Sequence, residues 1–182
     1  MKTAIGLGDE WFFEDSDRVT LLRKEADEWL GTPYFAFSRA KGHDGGCDCL
    51  GLTEALYIAC GLACEGDFVF PRSAADYQAH RAELRVLKYL RGQISEDPQS
   101  ARLAEMFAEL PLPEDCKNID ADHFMPGDML ALRQAGQFHL PIYLGNRFFI
   151  HCLRGISVVI SDLHDPTYST HLDAHFRPRA IS

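Results

Sequence analysis

The chain has 182 residues, 46% hydrophobic and 25% charged, the balance of one globular domain with its own core, which excludes a disordered or collagen-like chain. Lysine and arginine number 18 against 27 acidic residues, a net charge of −9. The densest basic groupings are Arg23-Lys24 and Arg177-Pro178-Arg179, so neither nucleic acid nor an anionic membrane surface is an expected partner.

Trp11, Phe12 and Phe13 read as an anchor docking the N-terminal arm onto the body, with a partner contact as the alternative. Ahead of them, Lys2 and the short Ala4–Leu7 run lack the apolar core of a signal peptide, which predicts a cytoplasmic start. No later stretch reaches the ~18 apolar residues of a membrane span. Val19, Leu21, Leu22, Ala26 and Leu30 recur at helical spacing until Gly31-Thr32-Pro33 breaks the period. A glycine-rich loop (Gly42, Gly45, Gly46) precedes a second helix, predicted from Cys49 to Cys60 with Asp48 as N-cap and Gly61 as stop.

Residues 65–124 read as a helical block, with one helix over Ala74–Leu90 (Leu84, Val86, Leu87 and Leu90 at helical spacing) and a shorter one over Ser100–Leu110. From 126 the period becomes two. Asp128–Arg133, Phe138–Leu144, Arg147–Leu153 and Ile156–Ile160 read as short antiparallel strands. His164, His171 and His175 then read as solvated loop residues. Helices followed by a strand meander give an α+β fold, and no linker or repeat divides the chain. Residues 1–182 are therefore one domain, with 65–124 as a helical insertion.

Six cysteines are too few for a disulfide scaffold, and free thiols are expected. Cys60, Cys64, Cys116 and Cys152 read as buried or incidental. Cys49 differs, because it opens a helix where unpaired N–H groups and the helix dipole favour thiolate. The bland alternative is a glycine turn admitting a helix with Cys49 packed beneath it. A thiol nucleophile needs a base and a group that orients the base. His139 and His151 are the candidates, on strands joined by the Gly145-Asn146 turn. A strict two-residue turn puts them on opposite faces. An odd connection, with Pro141 opposite His151, puts them on one face.

Trp29-Leu30-Gly31-Thr32-Pro33-Tyr34, Cys47-Asp48-Cys49-Leu50-Gly51-Leu52, Gly127-Asp128, His139-Leu140-Pro141-Ile142-Tyr143-Leu144-Gly145 and Phe149-Ile150-His151 resemble, in order and spacing, the NlpC/P60 cysteine peptidases. The resemblance implies a papain-like α+β core with Cys49 as nucleophile, His139 as base and His151 as the orienting third residue. Tyr34 and Asp48 match positions that shape the pocket for a substrate's free N-terminus. The Cys49 N–H, with the Tyr34 hydroxyl, matches the oxyanion donors. Relatives hydrolyse the γ-D-glutamyl–diaminopimelate bond of peptidoglycan stem peptides, so a stem peptide or muropeptide is the implied partner and no cofactor is implied. The long middle block also resembles phage and prophage tail-associated cell-wall peptidases, implying tail proteins as further partners. Three positions depart from the pattern: Leu50 replaces serine, while Pro141 and Arg147 replace glycine.

Rival readings exist. Cys47, Cys49, Cys60, Cys64, His139 and His151 are zinc-ligand types, but Cys47-x-Cys49 is too tight for the usual knuckle. A catalytically silent tail-structural or binding module of the same fold is another. Acyl transfer in place of hydrolysis belongs to relatives with histidine ahead of cysteine, the reverse of this chain. Cys47 has Cys49 as a sequence-near disulfide partner, in a strained bridge.

Overall fold

Side-chain caps start most of the helices. In the computed structural model, which describes residues 10–65, 69–71, 73, 75, 82–113, 123–134 and 137–180, the Asp15 carboxylate accepts from the Asp17 N–H at 2.8 Å and opens α1 (Ser16–Trp29). Leu22, Ala26 and Trp29 form its buried stripe; Leu30 leaves the helix in an extended conformation and is exposed. Ahead of α1, Phe12 and Phe13 are buried, as the anchor reading expects. A Cβ at Gly127, which has φ +89°, would collide with the Phe13 ring, so glycine is needed there.

Two short strands, β1 (Arg39–Ala40) and β2 (Gly46–Cys47), pair antiparallel and lead into α2 (Cys49–Ala59). The Asp48 carboxylate caps α2 through the Gly51 N–H at 2.7 Å, and Gly61, at φ +79°, follows its end. Nearly every side of α2 is buried. Gly51 lies against the Ser38 carbonyl, where any Cβ would clash.

Within the middle block, α3 (Ala82–Leu90) and α4 (Pro98–Met106) pack on each other. The rest of the helix expected over 74–90 lies almost wholly outside the described residues; in α3, Val86, Leu87 and Leu90 are buried and Leu84 is exposed. The helix expected over Ser100–Leu110 is corrected. It stops at Met106, and Phe107–Leu110 is strand β3, paired antiparallel with the last strand of the chain. A partner remote in sequence overrides local helical spacing, so the insertion is not purely helical.

The main sheet contains β3, β4 (Met129–Gln134), β5 (Gln137–His139), β6 (Ile142–Gly145), β7 (Phe148–Cys152), β8 (Val158–Asp162) and β9 (Leu172–Pro178). Its order is β3-β9-β4-β6-β7-β8, with β5 also on β4. The strand expected over Phe138–Leu144 divides at Leu140-Pro141, because proline has no N–H to give a ladder. A four-residue helix, α5 (Pro166–Ser169), precedes β9. β9 itself was not expected, and His175, read as a solvated loop residue, is fully buried on it; His164 and His171 are exposed.

Alternation along the strands gives the sheet two apolar faces. Met129, Ala131, Ile142, Leu144, Ile150 and Cys152 pack with α1 and α2, while Leu130, Leu132, Tyr143 and Phe149 form a second cluster with Phe124, Leu163 and Leu172. Asp128, fully buried at the start of β4, accepts two hydrogen bonds from Arg177 of β9 at 2.8 and 2.9 Å, which compensates its charge. No helix among the described residues is long and apolar enough to cross a membrane.

Candidate active site

The register between β6 and β7 decides whether two histidines can meet. Ile142 pairs with Ile150 and Tyr143 with Phe149, then the ladder shifts at a bulge where Gly145 pairs with Phe148. That register continues to Pro141 opposite His151, the odd connection that puts His139 and His151 on one face. Their rings meet, with His139 Nε2 2.9 Å from His151 Nδ1. The turn needs three consecutive positive φ angles, +95° at Gly145, +52° at Asn146 and +70° at Arg147. Arg147 is held in this strained conformation by three contacts. Its N–H donates to the Tyr143 hydroxyl, its carbonyl accepts from the Leu163 N–H, and its guanidinium pairs with Asp162 at 3.1 Å.

Beyond His151 the chain of contacts continues to a residue that sequence reading missed. His151 Nε2 lies 2.8 Å from Ser161 Oγ on β8. Val159 is the residue opposite His151, so Ser161 is its diagonal neighbour on the same face, a relation that strand pairing alone would have suggested. If His139 Nδ1 is to accept a proton, Nε2–H donates to His151 Nδ1, and His151 Nε2–H donates to Ser161. One tautomer set satisfies all three groups. Burial lowers His139 to about 4; burial and then His139 lower His151 to about 3. Both rings are neutral at pH 7.

Cys49 sits at the head of α2, buried, and the Leu140 backbone, one residue after His139, lies close enough to favour its thiolate. Thr53, one turn on, donates to the Leu140 carbonyl at 2.9 Å and so fixes α2 to the end of β5. The thiol itself donates to Glu83 Oε1 of α3 at 3.3 Å. Among the described residues no hydrogen bond joins Cys49 to His139. The expected low thiol pKa is corrected: burial pushes it well up, and the charges of Glu83 and Asp48 push the same way. The Leu140 backbone opposes them only in part. A helix N-terminus lowers a thiol pKa when the sulfur is solvated and faces cations; here it is desolvated and faces carboxylates.

Glu83 is the second residue missed, and it carried no local signal, since its approach depends on how the middle block folds back. Tyr34 bridges in parallel to Cys47 and is half-buried. Burial raises its hydroxyl, Arg154 lowers it, and Asp48, Cys49 and Glu83 raise it, so all four lie within its electrostatic reach. Asp48 spends one carboxylate oxygen on the Gly51 N–H and the other on the Phe37 N–H at 2.8 Å. Leu50 is fully buried in the core. Cys60 and Cys152 are buried, Cys64 is exposed, and Cys116 lies outside the described residues. Among the described residues no group of three or more His, Cys, Asp or Glu side chains is placed to hold a metal ion.

The profile of the NlpC/P60 family matches residues 31–177. Among solved structures, an NLP/P60-family protein similar to lipoprotein from Staphylococcus aureus subsp. aureus Mu50 is 19% identical with a TM-score of 0.57, covering 97% of this chain and 45% of that one. NlpC2 from Trichomonas vaginalis is 18% identical with a TM-score of 0.53, covering 96% and 51%. NlpC1 from the same organism is 20% identical with a TM-score of 0.50, covering 98% and 47%. The chain thus spans about half the length of these structures, and they share its α+β fold of helices on an antiparallel sheet. A comparison with curated proteins gives no match.

Proposed function

The chain belongs to the NlpC/P60 family, and from that premise we propose that it is a cysteine peptidase acting on peptidoglycan stem peptides at the γ-D-glutamyl–diaminopimelate bond. One observation carries the reading: Cys49 heads a helix against the Leu140 backbone, and the adjacent His139 ring is already linked to His151 and Ser161.

His139 takes the thiol proton as the sulfur attacks the scissile carbonyl carbon, and the Cys49 N–H with the Tyr34 hydroxyl receives the developing oxyanion. Collapse of that intermediate breaks the C–N bond. The proton held on His139 goes to the leaving amine, and the acyl group remains as a thioester on Cys49. Water, deprotonated by His139, then hydrolyses the thioester. His151 and Ser161 keep the ring in the tautomer that accepts at Nδ1. The missing Cys49–His139 hydrogen bond is compatible with this, since catalytic hydrogen bonds often tighten only with substrate bound.

Mass spectrometry of L-Ala-γ-D-Glu-diaminopimelate peptides incubated with wild type and Cys49→Ala tests the proposal. Cleavage after D-Glu by wild type alone supports it. Equal cleavage by both proteins removes the nucleophile, and cleavage by neither removes the assigned substrate.

A further inference from the structure

Beside Cys49 lie two buried thiols with no role in the proposed reaction. Cys47 ends β2 and Cys152 ends β7, and both are free and essentially inaccessible. The Cys152 thiol donates to the Cys47 carbonyl at 3.1 Å, a contact between residues 105 positions apart. The two side chains are close enough for the Cys152 thiol, with burial, to push the Cys47 thiol up. The sequence offers Cys47 only the strained Cys49 as a near neighbour; the fold supplies a second partner from another element.

We propose that Cys47 and Cys152 form a reversible disulfide, a redox-modification site distinct from Cys49. A Cys152 sulfur 3.1 Å from the Cys47 backbone carbonyl lies one side chain away from the Cys47 sulfur, so rotation about the side chains is the movement the bond asks for. The bond would tie β2, which leads through Asp48 into the α2 N-terminus, to β7, which carries His151 one residue earlier. It closes a long loop of chain and so constrains the unfolded state, making the oxidised protein more heat-stable. Because Cys152 already lies against the Cys47 backbone in the reduced state, Cys49 is expected to keep its position and its reactivity.

The oxidant is a small disulfide such as oxidised glutathione. One cysteine, as thiolate, attacks it, forms a mixed disulfide and expels the first glutathione thiolate. The second cysteine attacks the protein-side sulfur and expels the other. Two electrons pass from the cysteine pair to the reagent, and the two cysteine protons end on two glutathione thiols. Burial keeps both groups as thiols, so exchange proceeds through local opening and is slow.

The test uses the full chain in graded ratios of oxidised to reduced glutathione, quenched with acid, alkylated under denaturing conditions and mapped by peptide mass spectrometry. The expected product is a Cys47–Cys152 peptide pair lacking two hydrogens, reversed by dithiothreitol. A higher melting temperature should accompany it, with iodoacetamide labelling of Cys49 retained. Cys152→Ser should abolish the link and the thermal shift, and Cys49→Ala should keep both. Full alkylation of Cys47 and Cys152 after oxidation, a link from Cys47 to Cys49, or a link without thermal gain overturns the proposal. Mapping of the wild type alone decides the linkage even where a serine variant fails to fold. No readout depends on peptidase activity, so its failure is separate from that of the proposed function.

Discussion

In the resting site the Cys49 thiol donates to Glu83 Oε1 at 3.3 Å, so the proton that His139 is proposed to take points at a carboxylate. A negative charge beside a buried sulfur opposes thiolate formation, and Asp48 adds to it from the α2 side. The contact therefore holds the proposed nucleophile as a protonated thiol.

Replacing that charge while keeping the acceptor isolates its effect. Glu83→Gln should raise the rate of Cys49 alkylation by iodoacetamide near pH 8 about tenfold, the equivalent of one pKa unit. An unchanged rate would mean that burial alone, not the carboxylate, governs the thiol.

The contacts from His139 through His151 to Ser161 predict graded losses. His139→Ala should lower kcat by about 10²–10⁴, since it removes the proposed base. His151→Ala removes one orienting hydrogen bond, and Ser161→Ala one more remote, each worth about 2–10-fold. Peptide cleavage assays rank the three variants. A Ser161→Ala loss as large as that of His139→Ala would contradict the assigned order.

Activity should tolerate mild acid. A base works only while unprotonated, and burial has lowered His139 to about 4. The free-enzyme profile of kcat/KM is expected to stay level from about pH 8 to pH 6 and to fall only on approaching pH 4. A midpoint near the ordinary histidine value would place the base in solvent and not where the structure has it.

Stability should not share that tolerance. His139, His151 and His175 are lowered to about 4, 3 and 3, each chiefly by burial. Among the described residues neither ring nitrogen of His175 has a hydrogen-bond partner, and Arg177 and His123 add to its depression. Below about pH 6.5 the unfolded chain binds protons on these rings that the folded chain does not. Their contribution is thus fully present above pH 6.5 and is lost as pH falls toward the folded values, by up to about 4 kcal/mol per pH unit for three groups. Urea midpoints between pH 7 and pH 4 measure the slope. His175→Leu should flatten it by about 1.4 kcal/mol per unit without touching the site. An identical slope in that variant would exclude His175 as an acid-labile element.

Much of the site was legible before any coordinates, because the signals involved span only a few residues. Asp48 capping α2 and Gly61 ending it depend on backbone groups within one turn, and both were found where expected. Of the two β6–β7 connections the sequence left open, the structure has the odd one, with Gly145, Asn146 and Arg147 all at positive φ. The motif order from Trp29 to His151 fixed the family for the same reason: each motif is short and its spacing is preserved along the chain.

The tertiary structure decided whatever depends on partners far apart in sequence or on the dielectric around a group. β3 exists because it pairs with β9, and β9 because it pairs with both β3 and β4, partners remote in sequence, and neither segment alone distinguishes a strand from a helix or loop. His175 is buried because β9 lies between β3 and β4. Glu83 reaches Cys49, and Cys152 reaches Cys47, only once α3 and β7 are packed against the head of α2. The sign of the Cys49 shift reversed for that reason. A sequence places a sulfur at a helix N-terminus, but only packing sets how much water remains and which charges replace it.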